Sequence, residues 1–217
     1  MPDGSLDFGE AENQKKKKKS KKVPRLEITV ARTIEDMMRV TAIRAAVYMA
    51  EDNYPYEEEF DGNDFCGTHL IGWVDKEPVA CLRIRYFGGF AKIERIAVRQ
   101  HYRKSRIAFK LIRFAFDYCL RKGFTKVLGH VREELIPLYK MFGCRVVEGG
   151  RGMDLPDHSY VEMIFEGKLP DNAITLDSDP YALIRTEGAW ETPSLIERAK
   201  TKEDESEDLG HYAVAAE

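Results

Sequence analysis

The spacing of hydrophobic residues changes along the chain, and each spacing predicts a different element. Apolar and polar residues alternate over 26–30, which is typical of a half-buried strand. Thr33 can then cap a helix that extends to Met49, because its hydroxyl can accept a hydrogen bond from the first helical turn. Residues 51–67 are acidic, aromatic and glycine-containing, which predicts a loop region that could include one short helical turn.

The middle of the chain predicts three consecutive strands. Residues 70–74 and 79–86 are largely apolar, and the polar turn at 75–78 joins them as a hairpin. Two glycines at 88–89 form a second turn, which leads into a strand that ends at Val98. Three strands joined by such short turns are expected to be antiparallel.

A long amphipathic helix follows these strands. It extends to about Arg121 and stops at Gly123, a residue type that favours the end of a helix. Its buried face is predicted from apolar residues at helical spacing, namely Ile107, Leu111, Ala115, Tyr118 and Cys119. The remaining predicted elements are a strand at 126–130, a helix at 133–142 and strands at 144–147 and 160–165.

Composition divides the 217 residues into one folded domain and two tails. Residues 1–24 contain a lysine run and are predicted to be disordered, because like charges repel and bury no surface. Residues 25–166 are predicted to form the domain. Residues 167–217 are a partly disordered, acidic extension, and the segment around Trp190 packs either on the domain or on a partner.

Charge and hydropathy limit the possible partners. The net charge of −3 gives no overall attraction to nucleic acid, so such binding is expected only through the lysine run, which otherwise acts as a solubilising tail. No apolar run is long enough to span a bilayer, and the N-terminus lacks the apolar stretch of a secretory signal. We therefore predict a cytoplasmic protein.

Cysteines and histidines give no sign of a metal site. The cysteines lie far apart in or near apolar segments, without a CxxC pair, so reduced core thiols are expected; they are Cys66, Cys81, Cys119 and Cys144. The five histidines are equally scattered. We predict no bound metal.

The strongest chemical signal is a basic turn between a buried strand and the long helix. The strand ends at Val98 and the helix begins near Ile107, and the turn carries Arg99, His101, Arg103, Lys104 and Arg106. A helix N-terminus offers unpaired N–H groups and a positive dipole end, which bind phosphates. The turn therefore predicts a pyrophosphate site, and the alternative is a solvated basic surface.

Three segments carry a resemblance to the GNAT superfamily of N-acetyltransferases. Residues 94–98 resemble its fourth strand, 103–108 resemble its cofactor motif [Q/R]-x-x-G-x-[G/A], and 138–144 resemble its segment F-Y-x-K-x-G-F. Residues 44–48, 58–64 and 69–71 resemble a branch of small bacterial GNAT enzymes. They are also similar to N-acyl amino acid and acyl-homoserine-lactone synthases.

The resemblance implies a fold and a reaction. The fold is of the α/β (α+β) class, with a mixed, mostly antiparallel sheet of about six or seven strands and about four helices. The reaction moves an acetyl or other acyl group from a coenzyme A thioester to an amine, which belongs to a small molecule or to a protein. Acetyl-CoA is the implied donor, and a homodimer is possible.

The resemblance also assigns the donor site. The pantetheine arm would lie along a strand edge and the pyrophosphate on the turn; the implied cofactor-binding residues are Ile96, Ala97, Val98, Arg103, Lys104, Ser105, Arg106, Ile107 and Ala108. Arg106 stands where the motif has its first glycine. Its side chain either turns outward and pairs with a phosphate, or weakens donor binding.

Two residues match catalytic positions of the family. Glu94 would accept a proton from the amine, directly or through a water, and its structural alternative is an ion pair with Arg95 or Arg83. Tyr139 would donate a proton to the leaving thiolate, and its alternative is simple packing among neighbouring apolar side chains.

The acidic loop is the predicted acceptor side. Glu59, Asp61 and Asp64 could attract a cationic amine, and the alternative is a solvated loop. Two other functions remain open: an N-acyl amino acid or autoinducer-type synthase that uses acyl carrier protein, and a GNAT-like binding module without turnover.

Overall fold

The computed structural model describes residues 23–155 and 158–200. The lysine run before Val23 and the charged run after Lys200 lie outside the described residues. Within the described part, no helix is both long and apolar enough to cross a membrane.

The described residues form one eight-stranded sheet with five α-helices between residues 34 and 184, and residues 195–200 are helical as well. The strands are β1 (Leu26–Val30), β2 (Gly67–Val74), β3 (Glu77–Phe87), β4 (Phe90–Val98), β5 (Lys126–Arg132), β6 (Arg145–Val146), β7 (Met153–Leu155) and β8 (His158–Glu166). The helices are α1 (Ile34–Arg44), α2 (Tyr56–Glu59), α3 (Ile107–Arg121), α4 (Ile136–Lys140) and α5 (Pro180–Ile184). The predicted order of elements is confirmed, while the very short β7 and α5 were not predicted.

The sheet is antiparallel except at one junction. Its order is β1-β2-β3-β4-β5-β8-β6, and β7 also pairs with β8. Strands β1 to β4 are antiparallel neighbours, and Asp75 and Lys76 form the tight turn between β2 and β3. Only β4 and β5 run parallel, because α3 connects them across one face of the sheet.

Helix α3 covers one face and supplies most of its core. Its fully buried side chains include Ile107, Leu111 and Ala115. Gly72 of β2 permits this close packing, because a Cβ there would lie 2.9 Å from Cγ1 of Ile107. The predicted helical face is therefore confirmed, and it fixes where α3 begins relative to the sheet.

Helix α1 covers part of the opposite face. Val40, Ile43 and Val47 pack there with Ile71 and Cys81 in a second, smaller core. The predicted single helix continues beyond α1 as a π-helical segment, Ala45–Met49. Such segments are rare and often occur at functional sites.

The C-terminal extension packs on the domain. The Trp190 side chain is 8% exposed and its ring lies 5.3 Å from that of Tyr118 on α3. Glu187 pairs with Lys122 at 2.9 Å and also accepts a hydrogen bond from the Tyr118 hydroxyl. Residues around Trp190 thus belong to the same packed unit, which the sequence alone left undecided.

The prediction that the cysteines are core thiols is only partly confirmed. Cys81, Cys119 and Cys144 are buried free thiols, as expected. Cys66 is also free but exposed, so its predicted core position is wrong. It lies in a short 3₁₀ turn before β2, where its side chain is not covered by either core.

Candidate active site

A wedge opens in the sheet between β4 and β5. The two strands pair only from Ala91 to Ile93 on β4, opposite Val127 to Gly129 on β5. Beyond that point β4 continues along β3, and β5 continues along β8. The two strands therefore separate, and their facing edges form the two walls of a cleft.

A β-bulge in β4 lies at the base of this wedge. Arg83 pairs with Glu94 and Cys81 pairs with Ala97, so two residues of β4 oppose one residue of β3. One of them, Arg95, has a positive φ of 53°. The other is Ile96, whose carbonyl accepts a hydrogen bond of 2.7 Å from the Tyr48 hydroxyl of the π-helical segment.

The turn after β4 presents a cluster of free backbone N–H groups. Arg106, the residue before α3, adopts the left-handed conformation with φ 68°. In the described residues, the amides of Lys104, Arg106, Ala108 and Phe109 have no backbone acceptor. The Ile107 amide donates only weakly to the Ser105 hydroxyl, at 3.4 Å. This turn is thus an anion-binding geometry at the start of a 15-residue helix.

The basic side chains of the turn differ in whether they have hydrogen-bond or ion-pair partners. Arg103 donates to the Val98 carbonyl at 3.2 Å and forms an ion pair with Glu51. Lys104 and Arg106 are exposed, and neither has an ion-pair partner among the described residues. The guanidinium of Arg103 is therefore occupied, whereas the other two cations are available to an anionic ligand.

Glu94 is held in an ion-pair network on β4. Its Oε1 lies 2.7 Å from Nη2 of Arg83, and its Oε2 lies 3.0 Å from Nζ of Lys92. Burial alone would raise the pKa of Glu94, but these cations outweigh burial and hold it below its usual value. The ion pair with Arg83, one of the two structural alternatives, is therefore present.

Three carboxylates of the acidic loop are bonded to buried arginines. Glu59 is 0% exposed; its carboxylate pairs with Arg44, and its carbonyl accepts from Arg44 at 2.6 Å. Asp61 bonds Arg83 at 2.6 Å, and Asp64 bonds Arg83 at 2.7 Å and Arg44 at 2.6 Å. These three carboxylates thus close over the buried Arg44 and Arg83, whereas Glu57 and Glu58 of the same loop are exposed.

This network is close to electrical balance. Its cations are Arg44, Arg83, Arg85, Lys92 and Arg95, and its carboxylates are Glu59, Asp61, Asp64 and Glu94. Five positive charges therefore meet four negative ones. Sequence analysis did not predict that Arg44 and Arg83 are buried, because no local pattern distinguishes a buried arginine on a strand or helix from an exposed one.

Tyr139 lies on α4 and is 6% exposed. Its ring belongs to the core cluster with Phe142, as its structural alternative predicted. Burial raises the pKa of Tyr139 well above its usual value, so the phenol stays protonated through neutral pH. Its hydroxyl has no hydrogen-bond partner within residues 23–155 and 158–200.

A histidine on the other wall was not predicted. His130 of β5 lies opposite Glu162 of β8, with Nε2 3.7 Å from the carboxylate. By contrast, Nε2 of His69 lies 2.9 Å from the Asp64 carbonyl, which suggests a structural role. The side chain of His158 lies outside the described part of the structure.

Residues 35–144 match the family model described as the acetyltransferase (GNAT) family. The chain belongs to the GNAT family. It is an N-acetyltransferase by family and by its named relatives, and the predicted GNAT fold is confirmed. The match spans the wedge, the turn and α4, so all three lie in the part of the chain that defines the family.

Individual relatives agree with this assignment. The chain is 24% identical over 129 residues to a Bacillus subtilis (strain 168) protein named uncharacterized N-acetyltransferase YjcF, covering 59% of this chain and 92% of the relative. It shares the fold of Escherichia coli ElaA, with a TM-score of 0.59 and 22% identity over 65% of this chain and 100% of ElaA. A GNAT family acetyltransferase from Elizabethkingia anophelis, solved with acetyl-CoA bound, gives a TM-score of 0.51 and 15% identity over 65% of this chain and 97% of that chain.

Two further expectations concern the similarity to synthases and the metal site. None of these three relatives is named as a synthase, so the predicted similarity to N-acyl amino acid synthases stays a prediction. In the described residues, no group of three His, Cys, Asp or Glu side chains could hold a metal ion.

Proposed function

We propose that this GNAT protein transfers an acetyl group from acetyl-CoA to a primary amine by direct attack. The observation that carries the proposal is the adjacency of the wedge to the turn with free N–H groups. The wedge opens from Ile93 toward Val98, and the turn follows directly after Val98, so a thioester in the wedge would have its diphosphate near those donors. The protein would therefore hold both ends of the same ligand.

The proposed donor site uses main-chain groups on β4 and on the turn. The pantetheine arm lies along Ile96, Ala97 and Val98, where an amide N–H polarises the thioester carbonyl. The pyrophosphate accepts hydrogen bonds from the amides of residues 104–108, aided by the Lys104 side chain. Arg103 then leaves Glu51 and the Val98 carbonyl, because the arm takes that place and the phosphates offer a stronger negative charge.

The proposed chemistry needs one proton acceptor and one proton donor. The acceptor amine arrives as an ammonium ion and must lose a proton before attack. Tyr139, whose proton is retained at neutral pH, gives it to the departing sulfur. Glu94 is the acceptor that the sequence offers, but both its oxygens already contact cations, so a proton would reach it only through a water.

We propose an indirect role for the acidic loop. Glu59 has no exposed surface, and Asp61 and Asp64 are bonded to Arg83, so these carboxylates do not offer free negative charge to an amine. Asp61 and Asp64 form ion pairs with Arg83, which also forms an ion pair with Glu94. We therefore assign them to shaping the acceptor side, with the identity of the amine left to be measured.

Two measurements on the full chain test the proposal. Calorimetric titration with acetyl-CoA is expected to show stoichiometric binding, and a screen of amines and amino-terminal peptides with labelled acetyl-CoA is expected to show transfer. Binding without transfer to any amine would favour the inactive binding module. Absence of binding, together with a co-purified acyl-phosphopantetheine seen by mass spectrometry, would favour the carrier-protein synthase.

Arg106→Gly is expected to stabilise the protein by about 1 kcal/mol, because a side chain in the left-handed region is strained by about that amount. Donor affinity is expected to be retained or improved, since a glycine lets the backbone approach the pyrophosphate more closely. Thermal denaturation and calorimetry with acetyl-CoA check the two effects. Arg106→Lys keeps the charge and the strain and serves as the control. A large loss of affinity in Arg106→Gly alone would show instead that the guanidinium contacts a phosphate.

A further inference from the structure

A row of polar side chains crosses the sheet at the base of the wedge. Sheet register pairs Arg83 of β3 with Glu94 of β4, and His130 of β5 with Glu162 of β8. The last pair between β4 and β5 is Ile93 with Gly129, so Glu94 and His130 are the next residue on each wall. We call these four residues, Arg83, Glu94, His130 and Glu162, the polar row.

The polar row lies on the face of the sheet that α3 does not cover. Neighbouring residues on the same strands pack into the α3 core, namely Ile84, Ile93, Val131 and Met163. Because side chains alternate between the two faces of a strand, the polar row projects to the opposite side. That is also the side of the Arg83 network and hence of the proposed acceptor site.

The two walls offer very different proton acceptors. Glu94 has a cation on each oxygen, so accepting a proton would break favourable ion pairs. His130 has no cation bonded to it, and neither of its ring nitrogens has a hydrogen-bond partner in the described part of the structure. Its Nδ1 is buried, so Nε2 is the nitrogen that faces a ligand in the wedge.

The charges around His130 suit a neutral base. Lys92 and Glu94 of β4 and Glu162 of β8 are the charged groups that act on it. Burial, with a smaller contribution from Lys92, lowers the pKa of His130, whereas the two carboxylates act in the opposite direction. The imidazole is therefore neutral at neutral pH and holds a free lone pair. Glu162 stands beside Nε2, where it can orient the ring and stabilise the imidazolium.

We propose that His130 is a further catalytic residue, the group that removes the proton from the acceptor ammonium, with Glu162 as its positioning residue. This inference rests on the proposed acetyl transfer. Nε2 takes one proton from the ammonium while the N–H electron pair stays on nitrogen. That pair forms the bond to the thioester carbonyl carbon, and the C–S bond then breaks.

The remaining protons balance. Sulfur leaves with the C–S electron pair and takes a proton from Tyr139. A second proton, lost by nitrogen as the amide forms, restores the Tyr139 hydroxyl. His130 returns its proton to solvent. The products are an acetamide, the free thiol of coenzyme A and one proton, as direct transfer from an ammonium requires.

His130→Gln is expected to lower kcat about 10²-fold, the usual contribution of a general base, while acetyl-CoA affinity stays within about twofold. The wild-type profile of kcat against pH is expected to fall in acid with a midpoint below the usual histidine value of 6.5, because the protonated ring cannot accept a proton. This fall of kcat at low pH is the acid limb of the profile, and it should be absent in His130→Gln. Added imidazole should partly restore the rate of His130→Ala, which a purely structural role would not predict.

Two further variants complete the experiment. Glu94→Gln is expected to keep the acid limb, and so is His69→Gln, because His69 lies on β2, two strands away from the wedge. The inference is overturned if His130→Gln, folded and binding acetyl-CoA, keeps the wild-type rate, or if the limb disappears in Glu94→Gln instead. A wild type that neither binds acetyl-CoA nor transfers acetyl overturns the proposed function and this inference together.

Discussion

Replacing Arg83 by methionine is expected to lower the free energy of unfolding by about 3–5 kcal/mol, the range for breaking a buried ion pair by removing one partner. The Arg83 side chain is 1% exposed and contacts Asp61, Asp64 and Glu94 at 2.6–2.7 Å. Methionine fills a similar volume but leaves these carboxylates without their shared cation. Urea denaturation at neutral pH measures the difference.

The pH dependence of stability gives the same prediction a second measurement. Burial raises the pKa of Asp61, Asp64 and Glu94, but the bonded cations outweigh burial and hold all three below their usual values. Because these pKa values are lower in the folded state, the stabilisation is complete above the unfolded values of 3.8 and 4.5. It is lost as the pH falls below them. In Arg83→Met the carboxylates bind protons more readily, so the loss of stability at low pH should be smaller than in the wild type.

Arg25→Met is the matched control. The Arg25 side chain is 78% exposed and its ion pair with Glu27 lies at the surface, so its loss should change stability by less than about 1 kcal/mol. Equal stability losses in Arg25→Met and Arg83→Met would contradict a buried network. So would an unchanged acid dependence in Arg83→Met.

Tyr139→Phe is expected to lower kcat about 10²-fold or more, with little change in acetyl-CoA affinity, because it removes the proton donor to the leaving thiolate and little else. The ring stays in the core, since phenylalanine retains its packing, and the hydroxyl has no partner to lose among the described residues. An acetyl-transfer assay measures the change in kcat, and calorimetry measures the change in acetyl-CoA affinity.

Tyr86→Phe controls for the loss of a hydroxyl. The Tyr86 hydroxyl bonds Thr68 at 2.8 Å near the end of β3, outside the wedge, so kcat should not change. Leaving groups offer a further check: a thioester of a more acidic thiol needs less protonation, so it should restore part of the Tyr139→Phe rate. If the variant transfers acetyl at the wild-type rate, Tyr139 is a packing residue and the acid must be sought elsewhere.

Local patterns in the chain predicted most of the fold and the position of the basic turn. The amphipathic helix after Val98 was predicted because its apolar spacing is a property of neighbouring residues. The turn at 103–108 was predicted as an anion site for the same reason, since a helix N-terminus and clustered basic residues are both visible in sequence. Its geometry in the structure suits that prediction, and binding itself is still to be measured.

Other features depended on contacts that the sequence does not display. Glu59 looked like a solvated residue, and it is buried against Arg44, fifteen positions earlier in the chain. His130 looked like an isolated histidine, because its neighbours Glu94 and Glu162 are more than thirty residues away on other strands. Strand register brings them together, and register is decided by how whole strands pack.

By itself, then, the sequence determined which segments become strands and helices, where the basic turn before the long helix lies and which family the chain resembles. Each of these follows from residues close together in the chain, whose spacing and chemistry act locally. Only the tertiary structure decided which charges are paired and which remain free to react. Ile93 and Gly129 are the last pair between β4 and β5, and beyond them the two strands separate. Carboxylates and arginines that are distant in the chain are enclosed together, and their low exposure makes the attraction between them decisive.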